Sequence, residues 1–231
     1  MPDVRQRHKL APMTRTSCTF ESLEIVALNN AGALALSAGD LHTALGAFAL
    51  SGFLESTGSI RSDCAYQHAG AALWLAGERH VAAGLWRHAV QQLSKGRITH
   101  SDAAGGARSA LLLWYAWRKT GEEVYANEAE LHLLRLWRKP RSSMWPAPLG
   151  TFILGKDTAA SVLAIAEDSG PLRSHHLAQA HFYVGLELQS TGEVEAALGH
   201  YRRAEEVAAP LEYRDIEFYL ARYELAQARA A

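Results

Sequence analysis

Small and aromatic residues recur along the chain in one spacing that returns three times. The pattern is a glycine, a second glycine seven residues later, an alanine five residues after that, and an aromatic residue four further on. Its copies are Gly32, Gly39, Ala44, Phe48; Gly70, Gly77, Ala82, Trp86; and Gly185, Gly192, Ala197, Tyr201. Repetition at this spacing predicts a stack of helical hairpins, an architecture that commonly holds another molecule.

Each position in the pattern has a physical role in a hairpin. The second glycine is expected to end one helix and begin a tight turn, because glycine accepts a positive φ. The first glycine and the alanine allow two helices to approach closely, and the aromatic residue fills the gap between units. Weaker copies around Gly121 and Gly155 bring the number of units to about five. Extra residues at 94–106 predict an exposed, glycine-containing loop.

The end of the chain predicts one further helix beyond Pro210. Ile216, Leu220 and Tyr223 keep helical spacing, with charged residues between them. We expect this helix to pack on the last repeat and to give the stack a more polar, solvent-exposed end. A late group of carboxylates predicts a solvated helix face, with a patch for a basic partner as the alternative. Its members are Glu205, Glu206, Glu212, Asp215 and Glu217.

Composition and charge restrict the fold class, the kind of partner and the cellular compartment that we expect for this chain. The chain is rich in alanine and leucine and almost lacks strand-favouring runs, which is typical of an all-α fold. A formal net charge of −1 argues against a nucleic-acid-binding protein. Two cysteines cannot form a disulfide framework, and neither an apolar signal segment nor an 18-residue apolar run is present. We therefore expect a cytoplasmic protein without a membrane span.

The domain organisation expected from these features is simple. Residues 1–19 are basic and lack apolar periodicity, so they are predicted to form a poorly ordered leader. Residues 20–231 are predicted to form a single helical repeat domain. Alanine- and arginine-rich composition favours a bacterial source.

Motifs that carry catalysis or bind cofactors lack the spacing that their chemistry needs. The segment from Gly150 to Lys156 is spaced like a phosphate-binding loop but lacks the following Ser or Thr and the preceding strand. His176 and His181 are five residues apart, whereas a helical metal pair prefers four. The prediction is therefore no enzyme, no catalytic residue, no cofactor and no metal.

Four tryptophans crowd the middle of the chain. We expect them to fill gaps between irregular units, with an exposed binding patch as the alternative. They are Trp114, Trp117, Trp137 and Trp145.

The repeated pattern resembles the tetratricopeptide repeat family, as found in bacterial proteins. The best copy begins at residues 181–185 and continues through Ala197, Tyr201 and Ala204 to Pro210, with the proline one place late. The resemblance covers about residues 21–230. It implies a right-handed α-α superhelix of about five helix–turn–helix units with a C-terminal capping helix. It also implies a non-catalytic scaffold that binds a protein or peptide partner.

In this family the first helix of each unit lines the concave face, and the resemblance assigns partner-binding residues there. They are Asn29, Asn30, Gln67, His68, Trp74, Arg108, Tyr115, Arg118, Phe182 and Gln189. Amides would pair with a peptide backbone, and aromatic rings would cover its side chains. A solvated inner face without a partner is the alternative. Two other functions stay open: a dedicated inhibitor or immunity protein for one toxin or enzyme, and a small-molecule sensor or enzyme using the tryptophan-rich middle.

Overall fold

The computed structural model describes residues 20–57, 61–139, 143–211 and 215–230, and its regular elements in these ranges are helices. The eleven α-helices are α1 (Phe20–Ser37), α2 (Leu41–Thr57), α3 (Cys64–Leu75), α4 (Arg79–Ser94), α5 (Ala107–Thr120), α6 (Glu123–Trp137), α7 (Ala147–Ile153), α8 (Ala159–Glu167), α9 (Arg173–Ser190), α10 (Val194–Ala208) and α11 (Ile216–Ala230). A short 3₁₀ helix, Gly170–Leu172, joins α8 to α9. Within these ranges no β-strand forms, which confirms the all-α prediction. The expected leader at 1–19 lies outside the described residues.

Consecutive helices pack against each other in pairs. The pairs are α1 with α2, α3 with α4, α5 with α6, α7 with α8, and α9 with α10, and each pair also contacts the next one. The fourth pair is short, with helices of 7 and 9 residues. Its first helix begins directly after Pro146, since proline cannot continue a preceding helix.

The turn glycines lie where the spacing predicts them. Gly39, Gly77 and Gly192 each follow a first helix and have φ values of 79°, 92° and 87°. Gly121 and Gly155, from the weaker copies, also have positive φ. A side chain at any of these positions would be strained, which explains why the same residue returns at each turn.

The first glycine of each strong copy permits close contact with the aromatic residue of the same unit. A Cβ added at Gly70 would lie 2.3 Å from Trp86 Nε1, and one at Gly32 would lie 2.5 Å from the ring of Phe48. The aromatic residues and the alanines of the pattern are fully buried. The predicted packing role of these positions is therefore confirmed.

Helix α11 forms and packs on the last repeat, as predicted, but its contacts extend beyond that repeat. Besides the adjacent α10, it packs against α9 and against α3, which is far away in the sequence. Buried residues of α11, among them Phe218 and Tyr219, share a core cluster with Leu36 and Phe48 from the first pair. The prediction of a solvent-exposed end is therefore corrected, because α11 packs against both the last and the first helix pairs of the described chain.

The tryptophans divide between core and surface. Trp114 is buried, Trp117 and Trp145 are half-buried against the main core, and Trp137 is 44% exposed. The predicted core role therefore fits Trp114 best and Trp137 least. No helix in the described ranges is long and apolar enough to cross a membrane.

Candidate functional site

Two of the predicted binding residues, Arg108 and Tyr115, contact helix α11. We refer to the surface that the first helices α1, α3, α5 and α9 present to α11 as the inner face. Tyr219 of α11 hydrogen-bonds Ser37 of α1, and Glu224 accepts a hydrogen bond of 2.7 Å from the hydroxyl of Tyr115 on α5. At the beginning of α4, Arg79 donates to the Tyr223 hydroxyl at 2.8 Å. The chain's own last helix therefore covers the part of the predicted binding face that contains Arg108 and Tyr115.

Arg108 forms two buried ion pairs in this contact. Its Nη2 lies 2.8 Å from Asp215 Oδ1 and 2.6 Å from Glu217 Oε2, and its side chain is 15% exposed. His175 donates to the other oxygen of Asp215 at 2.8 Å. Burial opposes ionisation of Asp215, but Arg108 and His175 outweigh it and lower its pKa to about 2. The hydrogen bond to Asp215 raises the pKa of His175.

A second set of polar contacts lies two helical turns further along both helices. Lys119 Nζ lies 2.5 Å from Glu224 Oε2, while Tyr115 donates to the other oxygen of the same carboxylate. Burial and the nearby Glu224 raise the pKa of Tyr115 well above its usual value. Burial lowers the pKa of Lys119, and Glu224 opposes that shift. Both oxygens of Glu224 are thus bonded, as a buried carboxylate requires.

Three predicted aromatic binding residues belong to the core. Trp74, Tyr115 and Phe182 are fully buried, with ring centroids 4.8 Å apart for the first two and 5.4 Å for the last two. Trp74 also stacks on Trp86 at 5.5 Å. Because α11 and the neighbouring units enclose these rings, the expectation that they face an open groove is corrected.

Gln67 belongs to a buried polar cluster rather than to an open face. Its Nε2 donates to Asp63 Oδ2 at 2.8 Å and to Ser109 Oγ at 2.9 Å. Ser109 donates in turn to the same carboxylate oxygen at 2.7 Å. Asp63 and Gln67 are almost completely enclosed, so this cluster orients α3, α5 and the loop between α4 and α5.

His68 lies beside Cys64, one helical turn earlier on α3. Its Nδ1 is 3.0 Å from the Cys64 carbonyl oxygen and 3.5 Å from Cys64 Sγ. The carbonyl can only accept, so Nδ1 carries the proton in that contact and is not a base toward the thiol. Burial lowers the pKa of His68 to about 4, which further weakens it as a proton acceptor. Asn29 approaches the same sulfur at 3.9 Å.

The remaining predicted residues are at least partly accessible. Asn30 is exposed on α1, and Arg118 and Gln189 are half-buried on α5 and α9. Arg118 pairs with Glu187 and lies 4.2 Å over the ring of Trp117. Gln189 accepts hydrogen bonds from Lys119 and, at 2.9 Å, from Tyr201. Each of these three residues stays a predicted partner contact.

The late carboxylates do not form one solvated face. Asp215 and Glu217 are buried against Arg108, whereas Glu205 and Glu206 remain near the surface and pair with Arg222 and Arg203. Glu212 lies outside the described residues. The sequence analysis therefore did not predict that Asp215, Glu217 and Glu224 bind side chains of the inner face.

One signal could have found this contact. Arg108 and Tyr115 are seven residues apart, and so are their respective partners Glu217 and Glu224. Seven residues are two helical turns, so both helices present complementary groups in the same register.

Comparisons with known proteins add no family assignment. No family model matches the chain, and a search of curated proteins found no significant sequence match. Within the described residues, no group of three or more His, Cys, Asp or Glu side chains could hold a metal ion. The inner face binds the acidic and aromatic side chains of α11 through cations and hydroxyls, which come from Arg108, Lys119, Tyr115 and Ser37.

Proposed function

We propose that the chain is a non-catalytic protein-interaction module of the tetratricopeptide type. Its hairpins would wind into a right-handed superhelix, and its inner face would bind a helical segment of a protein partner. The pairwise packing of consecutive helices and the repeated glycine turns support the fold assignment. The observation that carries the function is that the inner face already holds a helix, α11, through side chains from several units.

The contacts of α11 describe the chemistry of the proposed partner. Arg108 binds two carboxylates, Lys119 and Tyr115 bind a third, and Ser37 binds a tyrosine hydroxyl. An amphipathic partner helix with acidic and tyrosine side chains in the same register would satisfy all of these groups. Recognition of a helix by an apolar groove with charged anchors is a common mode of peptide binding.

Such a partner would have to replace α11. A tethered segment acts at an effective concentration on the order of millimolar, so a free helix competes only if it binds more tightly or if α11 is loosened. Breaking the buried pairs of Arg108 also leaves charges that must be satisfied again. The proposal therefore predicts weak binding of added helices to the unmodified chain and stronger binding when α11 is weakened.

The test uses a fluorescent peptide with the sequence of residues 215–230 and the full-length chain. In the variant E217Q/E224Q two anchors of α11 lose their charge, and we expect the peptide to bind this variant about tenfold more tightly than the unmodified chain, measured by anisotropy. The matched control is E123Q/E130Q, which makes the same charge change at two exposed positions of α6 and should bind like the unmodified chain.

Two further arms identify the site and the natural partner. Adding Arg108→Ala to E217Q/E224Q should abolish peptide binding, because the receiving cation is gone. Capture from a cell lysate should enrich a partner on E217Q/E224Q relative to E123Q/E130Q. Equal peptide binding by these two variants, with both folded by circular dichroism, would contradict the proposal.

A further inference from the structure

The loop between α4 and α5 is an ordered insertion. Asp63, which is fully buried, accepts a 2.6 Å hydrogen bond from the Ser101 amide, and Thr99 donates from its amide to the Arg61 carbonyl at 2.6 Å. Asp102 accepts from the amides of Gly105, Gly106 and Arg108 at 2.8–3.0 Å. Ordering this loop, residues 95–106, costs conformational entropy, and ordered long loops are usually functional.

This loop and helix α6 enclose a cleft of about 600 Å³. That volume lies in the range of small-molecule sites. Its apolar lining comes from the end of α4, the loop and α6. It consists of Leu93, Ile98, Ala104 and Leu136. A surface insertion thus creates a partly apolar cavity that the repeat architecture alone does not supply.

Two cations, Arg135 and Lys139, also line the cleft. Arg135 lies in the last turn of α6, and Lys139 lies two residues beyond the end of that helix. Neither forms an ion pair with another described residue, and no carboxylate is among the described residues that line the cleft. The cleft therefore combines an apolar wall with uncompensated positive charge.

His132 lies at the base of the cleft and is 6% exposed. Its Nδ1 is 3.1 Å from Ser94 Oγ at the end of α4. Burial lowers its pKa to about 4, so the imidazole is neutral near pH 7. The positive charge of the cleft thus comes from its rim, and an anionic group would be placed there rather than at the base.

We propose that this cleft binds an organic anion with an apolar body, such as a medium-chain carboxylic acid. The head group would lie between Arg135 and Lys139, and the hydrocarbon would cover Ile98 and Leu136. This site is separate from the inner face and does not depend on the proposed function.

The test is isothermal titration of decanoate into the full-length chain near pH 7. We expect one saturable site, and at least tenfold weaker binding by R135A/K139A because both charge-assisted contacts are removed. The matched control, R202A/R229A, removes two exposed arginines elsewhere and should bind within about twofold of the unmodified chain. Decyltrimethylammonium, with the same tail and opposite charge, should not occupy the site.

A second variant keeps both cations and changes the wall. Ile98→Glu places a carboxylate in the cleft that Arg135 and Lys139 also line, and it should abolish decanoate binding while the circular dichroism melt stays unchanged. The proposal is overturned if decanoate shows no saturable binding, if decyltrimethylammonium binds equally well, or if R135A/K139A and R202A/R229A behave alike.

Discussion

The chain carries two positively charged regions on neighbouring helices, and they differ in what surrounds the charge. On α5, Arg108 and Lys119 point into the contact with α11 and are satisfied by three carboxylates. In the last turn of α6 and just beyond it, Arg135 and Lys139 border an open cleft without a carboxylate in its described lining. Arginine and lysine therefore stabilise the fold in the first region. In the second region their charges are not paired with carboxylates and are available to a ligand.

This difference has a physical consequence. Removing one member of a buried ion pair leaves the other charge uncompensated in a poorly solvated site, which destabilises the protein. Removing an exposed cation changes the free energy of unfolding little. Substitutions of the inner face should thus destabilise the protein, and substitutions at the cleft should change binding alone.

The largest expected effect is at the aromatic centre of the inner face. Trp74→Ala removes a fully buried ring that contacts Trp86 and Tyr115, and it should lower the free energy of unfolding by about 3–5 kcal/mol. Urea unfolding followed by tryptophan fluorescence measures this change. A loss below about 1 kcal/mol would place Trp74 at an open surface, as a groove residue would be.

The next effect concerns the buried ion pairs. Arg108→Ala leaves Asp215 and Glu217 without their cation in a site where Glu217 is 1% exposed. We expect a loss of about 3 kcal/mol in the free energy of unfolding. His175 remains beside Asp215 and limits the loss. An effect no larger than that of removing an exposed arginine such as Arg202 would contradict the burial of these pairs.

Both regions contain a buried neutral histidine that makes stability depend on pH. The pKa values of His68 and His132 are lowered by burial from 6.5 to about 4. The unfolded chain therefore binds more protons between these values, so the stabilisation is complete above pH 6.5 and is lost as the pH falls toward 4. Each histidine should contribute on the order of 2–3 kcal/mol to this loss.

Urea unfolding at pH 7, 5.5 and 4.5 measures that dependence. His132→Gln should reduce its slope because one titrating group is removed while a polar side chain remains beside Ser94. A pH dependence of His132→Gln equal to that of the unmodified chain would show that His132 is solvated.

The smallest expected effect is at the cleft. R135A/K139A should change the free energy of unfolding by less than about 0.5 kcal/mol, because both side chains are exposed and unpaired within the described residues. Thermal unfolding by circular dichroism provides the check. A large loss would assign these cations a structural role like that of Arg108 and would end the contrast between the two regions.

Local chemistry explains which features could be predicted from the sequence. Gly39 and its counterparts were assigned to turns because only glycine adopts their backbone conformation without strain. Ala197 and Tyr201 were assigned to packing because their spacing relative to Gly185 fits two helices in contact. In each case the residues involved lie within about twenty positions of each other.

The position of α11 could not be predicted in the same way. Helical periodicity fixes which residues share a face, but it does not state which distant helix that face meets. The partners of Arg108 are 107 and 109 residues away in the sequence. The cleft posed the same difficulty, since its loop is held by Asp63 from an earlier helix pair.

The central claim is that α11 occupies the inner face through the buried pairs of Arg108. A double-mutant cycle with Arg108→Ala, Glu217→Ala and the combined variant tests it most directly, by urea unfolding of the full-length chain at pH 7. We predict a coupling free energy of about 1.5 kcal/mol or more between these two positions. Additive effects, within about 0.5 kcal/mol, would mean that the two side chains do not interact and that α11 lies elsewhere.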